Sequence, residues 1–103
     1  MFDTENYKFK VAKQSKKHNE RFTLYPEHFN NLDYAIDNAY KRAIMQNANY
    51  GIMIYDDENK LHTLAVYNQF GELETINHGV VNLLNLGCSR FFKPIVENEE
   101  FNF

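Results

Sequence analysis

Cys88 is the only thiol in the chain, and the nucleophile it could supply needs a base beside it, a role a histidine could fill. The nearest histidine along the chain is His78. If the two flank one helix, a rise of about 1.5 Å per residue holds them roughly 15 Å apart, too far for proton transfer. The spacing predicts a small buried residue at a helix end, a common place for a free cysteine. The histidines His18, His28, His62 and His78 form no HxH or HxxxH pair, and one cysteine cannot make a CxxC, so no zinc-ligand spacing is present. His18 falls in a polar loop and His28 beside Pro26, both read as surface positions.

Asp56, Asp57 and Glu58 crowd three carboxylates into one turn. A calcium loop spreads its oxygen ligands over about twelve residues around a glycine, whereas this stretch runs straight into Lys60-Leu61-His62. It reads as the acidic tip of a hairpin, able to dock on a basic partner. Asn77-His78-Gly79 opens a helix whose free N–H groups would attract an anion. Without GxGxxG or GxxxxGK[ST], capping by Asn77 is the better account. These residues together predict no enzymatic activity, no cofactor and no metal.

Binding is the chemistry the pattern does favour. By alternation, Lys8, Lys10, Arg21, Thr23 and Tyr25 point away from the core in a first hairpin. Met53 and Tyr55, with either Leu61 and Tyr67 or their neighbours, do so in a second. If helices cover only one side of the sheet, the other side shows aromatic rings and a thioether edged by basic groups, and such patches mark contact surfaces. The expected protein-binding residues are Tyr25, Met53, Tyr55 and Tyr67, with Asp56, Asp57 and Glu58 steering a partner. The alternative is a single-stranded nucleic-acid binder, in which Tyr25 and Tyr55 stack on bases while Lys8, Lys10 and Arg21 hold phosphates. A small pocket for a nucleotide ligand is a second alternative.

The elements that must position these residues can be read in order. Tyr7 to Val11 alternates apolar with basic and predicts a strand; Lys13 to Glu20 predicts a loop; Arg21 to Tyr25 predicts a second strand, ended by Pro26. Leu32, Ala35, Ile36, Ala39, Ala43 and Ile44 recur at helical spacing, opened by Asn30 or Asn31 and closed near Asn47 and Asn49. Tyr50–Tyr55 and Lys60–Tyr67 predict a second hairpin, with Asn59 suited to the left-handed conformation in its turn. Glu72 to Ile76 predicts a further strand, although Leu73 and Ile76 disagree in parity. A shorter helix follows from Asn77 or His78 through Leu86 and stops at Gly87, and Phe91 to Val96 is read as extended around Pro94. The expected fold is α+β, β-β-α-β-β-β-α: an antiparallel sheet of four to five strands with two helices packed on one face. One domain spans 1–96, followed by an acidic, frayed tail at 97–103.

Composition bounds the rest. The chain has 103 residues and a net charge of −3, with nine Phe and seven Tyr but no Trp. Sixteen rings are hard to bury in one small core, so some should mark surface contacts. Residues 1–25 net +3 and the remainder −6, which gives a dipolar surface. A single cysteine allows no internal disulfide and fits a reducing compartment. No apolar run reaches the ~18 residues that span a bilayer, and the first ten residues lack a signal peptide's apolar stretch. The expectation is a cytoplasmic protein with a protein partner, nucleic acid and self-association as further options, and no membrane. The abundance of Asn, Lys, Ile and Tyr points to an AT-rich genome. Small size then suits a phage or mobile-element accessory protein that inhibits a host defence or nuclease complex by stoichiometric binding.

Overall fold

A computed structural model describes residues 8–15 and 21–92 of the chain. Most of the expected Lys13–Glu20 loop, the continuation past Phe92 and the acidic tail lie outside the described residues. Within them, the elements are β1 (Phe9–Gln14), β2 (Phe22–Phe29), α1 (Leu32–Gln46), β3 (Tyr50–Tyr55), β4 (Leu61–Tyr67), β5 (Leu73–Ile76), α2 (His78–Leu83) and α3 (Ser89–Phe92). The strands form one sheet in the order β2-β1-β3-β4-β5, antiparallel at every neighbouring pair. This is the expected α+β architecture. β2 and β3 therefore run parallel with β1 between them, and α1 is the long crossover that such a connection requires.

Helix α1 is fixed at both ends by asparagine. Asn31 is extended, and its Oδ1 accepts from the backbone N–H of Asp33 at 2.8 Å and of Tyr34 at 3.3 Å. Asn47 adopts the left-handed conformation at φ 54°, and its N–H returns to the Ala43 and Ile44 carbonyls. Between the caps, Leu32, Ala35, Ile36, Ala39 and Ala43 are buried. Three alanines in this stripe let the helix lie close to the sheet. Phe9, Val11, Tyr50, Ile52, Ile54, Ala65 and Tyr67 meet it from the sheet, and Val81, Leu84, Leu86 and Phe91 complete one apolar cluster. α3 departs from the extended reading of Phe91 to Val96, since Phe91 and Phe92 are helical. The reason is tertiary, because the buried Tyr67 hydroxyl donates to the Phe91 carbonyl at 2.6 Å and anchors that turn.

Three register shifts interrupt the ladders, and two of them, each a single inserted residue, reverse the simple alternation. Between β3 and β4, Ile52 pairs with Ala65 and Met53 with Thr63, so Leu64 is an extra residue and joins the core beside Ala65. Between β4 and β5, Val66 pairs with Thr75 and Tyr67 with Leu73, leaving Glu74 as the extra residue. That shift resolves the parity conflict, since Leu73 and Ile76 both pack on the core. Between β1 and β2, Lys10 pairs with His28 and Ala12 with Leu24, so Tyr25, Pro26 and Glu27 stand opposite Val11. Pro26 does not end the strand. It sits in the irregular stretch of an edge strand, where no ladder bond is needed, and β2 continues to Phe29.

The turn before β5 shows how tightly the elements are coupled. Gly71 has φ +78°, and a Cβ there would lie 2.5 Å from Tyr40 Cε1 and 2.8 Å from Ile44 Cδ1 on α1. Gly71→Ala is expected to cost about 2–4 kcal/mol through left-handed strain and overpacking, lowering Tm by roughly 8 °C or more. Gly79, in α2, would place its Cβ 3.5 Å from Asn77 Oδ1, an ordinary contact. Gly79→Ala should be neutral or gain up to ~1 kcal/mol. Paired thermal melts check both, and equal effects would contradict this packing.

Candidate functional site

The sheet face away from the helices is closed at its centre and open at one end. Ala12, Met53 and Val66 lie on it and are buried, Met53 to 2% exposure, with Phe22 and Leu24 half-buried alongside. Phe22 reaches across toward Gly51, where an added Cβ would sit 3.0 Å from its ring. Phe22 and Leu24 therefore occupy the side that alternation gives to Tyr25. Met53 is also held from the side, its sulfur 3.8 Å from the Thr63 hydroxyl. It is not the open contact residue expected.

Tyr25 and Tyr67 are corrected likewise. Because Leu24 pairs with Ala12 on the face away from the helices, the next residue, Tyr25, points toward them. There its hydroxyl lies 2.7 Å from the Tyr50 hydroxyl, and the rings meet edge to face at 5.8 Å. The Arg42 guanidinium covers the Tyr25 ring at 4.4 Å while Nε donates to Asn38 Oδ1 at 2.9 Å. Tyr67 is fully buried, edge to face with Tyr40 at 6.4 Å. Burial pushes the Tyr67 phenol up, and burial with the Tyr25 hydrogen bond pushes Tyr50 up. These phenols are core groups.

At the open end, Tyr55 and Leu61 are direct register partners across β3 and β4, 39% and 40% exposed, on the same face as Met53. Other exposed apolar side chains, among them Tyr34, Phe70 and Leu83, are distributed over α1, the β4–β5 turn and α2. What sets Tyr55 and Leu61 apart is that the sheet itself holds them side by side. The turn beyond them is built around one carboxylate. Asp56 Oδ1 accepts from the N–H of Glu58 at 2.9 Å and of Lys60 at 2.8 Å, and Oδ2 lies 2.8 Å from His62 Nε2. Asp56 N–H donates to the Lys60 carbonyl, and Asn59 takes the left-handed conformation at φ 63°. The Asp56 side chain is only 10% exposed. It organises the turn rather than offering charge to a partner, and Asp57 and Glu58 carry the exposed charge.

The basic residues do not converge. Lys8 is exposed at the start of β1, Lys10 donates to the Pro26 carbonyl at 2.9 Å, and Arg21 is exposed at the opposite end of the hairpin. A β1 of six residues separates Lys8 from Arg21 by about 20 Å at ~3.3 Å per residue. An open depression of about 450 Å³ between the hairpin and the end of α1 includes Lys13, Gln14, Thr23 and Gln46, with Lys13 its one charged side chain among the described residues.

The expected separation of Cys88 from His78 is overturned. α2 ends at Leu83, and the chain doubles back through Asn85 at φ 55° and Gly87 at φ 82°. Cys88 Sγ arrives 3.4 Å from His78 Nδ1 and 3.6 Å from Asn82 Oδ1. A two-turn helix with a reversal brings together what one longer helix would have kept apart. Asn85 and Gly87, two residue types that favour left-handed backbone, are the sequence signal of this reversal.

Among the described residues, no group of three or more His, Cys, Asp or Glu side chains could hold a metal ion, and no helix is long and apolar enough to cross a membrane. No family model matches the chain, and no curated protein or solved structure matches it either.

The Asp56 carboxyl is held down to about 2, first by the His62 hydrogen bond and then by the Lys60 and Glu58 N–H groups. A depressed carboxyl stabilises the folded turn above the ordinary value of 3.8, and that contribution fades as pH falls through about 2. Carboxyl-carbon NMR titration should find this midpoint near 2, and His62→Ala should move it toward 3.8. An unmoved midpoint would show that His62 does not hold the turn.

Proposed function

We propose that the protein works by binding another protein with the β3–β4 hairpin, and that it has no catalytic role. The observation that carries this reading is the Tyr55–Leu61 pair, exposed side by side at the end of a hairpin whose turn is already fixed by Asp56. A fixed hairpin loses little conformational entropy on docking. Tyr is among the residues that anchor interfaces, and Leu61 widens the apolar contact. Asp57 and Glu58 beside the pair steer the encounter toward a basic surface.

The partner that fits offers an apolar pocket rimmed by Lys or Arg. Proteins that handle nucleic acid carry basic grooves of this kind, because they must neutralise phosphates. Occupying such a groove would inhibit by competition. This gives chemical content to the expectation of a stoichiometric inhibitor of a nuclease or defence complex, and it agrees with the net charge of −3.

Affinity capture from the native host, followed by titration with the captured partner, tests the reading. Tyr55→Ala with Leu61→Ala should weaken binding at least ~100-fold, as the loss of central interface anchors does, and leave Tm nearly unchanged. Asp57→Lys with Glu58→Lys should slow association. Unchanged affinity in the first variant would refute the hairpin as the docking element. Tight, steeply salt-dependent binding to short DNA or RNA that fails on Lys8→Glu with Lys10→Glu would instead favour the nucleic-acid reading.

A further inference from the structure

A second site lies at the corner between α2 and α3, on residues separate from the docking hairpin. His78 begins α2 and Asn82 sits four residues on, one turn along the same face. The reversal at Asn85 and Gly87 then lays Cys88 over that face, with Sγ 3.4 Å from His78 Nδ1 and 3.6 Å from Asn82 Oδ1. Cys88 is partly exposed and His78 is exposed, so a small reactant can reach the sulfur. Phe92, exposed, follows Cys88 by four residues and offers an apolar surface at the same corner.

A thiol and an imidazole at hydrogen-bond distance are the two parts of an activated nucleophile. The thiolate is the form that attacks, so a base able to take the proton as the sulfur reacts sets the rate. We propose that Cys88 and His78 form a reactive thiol pair, a modification site that exchanges with small-molecule disulfides. The Cys88 proton passes to His78 Nδ1 while the sulfur attacks one sulfur of the incoming disulfide. The bond between the reactant's two sulfurs breaks, and a mixed disulfide forms on Cys88. The departing thiolate takes the proton back from the imidazolium. Cys88 is oxidised to the disulfide level and the departing half is reduced to a thiol, so no other oxidant is needed. The product carries a bulky adduct at the α2–α3 corner and reverts with excess thiol.

The test uses the full chain and Ellman's reagent as the disulfide, read by absorbance of the released thiol at neutral pH. The wild type should react at least ~10-fold faster than His78→Gln, a modest part of what a positioned base contributes. Cys88→Ser should release nothing. His78→Ala should also be slow, and free imidazole should restore part of its rate. Equal rates for wild type and His78→Gln would overturn the proposal. A slow His78→Ala with an unchanged melting curve that imidazole does not accelerate would also overturn it, because His78 would then act only on local structure.

Discussion

A sheet has two faces, and the helices here cover one of them. α1 lays its Leu32, Ala35, Ile36, Ala39 and Ala43 stripe on the strands, and α2 and α3 extend the same layer through Val81 and Phe91. The opposite face must be closed by the sheet's own side chains or left for another molecule. This chain closes the centre with its own side chains and leaves one end exposed. Small residues at the centre, Ala12 and Gly51, make a shallow trough in which the larger Phe22 and Met53 pack. Toward the β3–β4 turn the trough ends, and Tyr55 and Leu61 stand out of it.

Elements whose signals are local were legible in the sequence. The helical stripe of α1, its asparagine caps, the hairpin at Asp56 to Asn59 and the cap at Asn77 all rest on residues near one another in the chain. Simple alternation misplaces side chains where the ladder slips. At Leu64 one inserted residue puts Leu61 and Tyr67 on opposite faces, and at Glu74 another reconciles Leu73 with Ile76. A bulge leaves little mark in composition, so a period-2 reading carries its error through every residue beyond it. Tyr25 differs for another reason: Phe22 and Leu24, apolar as they are, pair with Gln14 and Ala12 on the face away from the helices.

The candidate site was legible in part for the same reason. Tyr55, Asp57 and Glu58 are exposed at the hairpin as alternation and the turn signal imply, because their strand is regular as far as the turn. Met53 was assigned the right face, but alternation gives no measure of what neighbouring strands do to exposure. Asp56, expected to steer a partner, instead directs its two oxygens at Glu58, Lys60 and His62. One continuous helix would hold Cys88 and His78 apart, and the early end of α2 brings them together.

The account depends on a rigid hairpin presenting two apolar side chains to a partner. Mapping the interface on isotope-labelled protein by amide NMR, as a partner obtained by affinity capture is added, measures this directly. The account predicts loss or shift of signals at Tyr55, Asp57, Glu58 and Leu61 first, with α1 unaffected. Perturbation centred on α1 or the β4–β5 turn, with the hairpin signals unmoved, would contradict it.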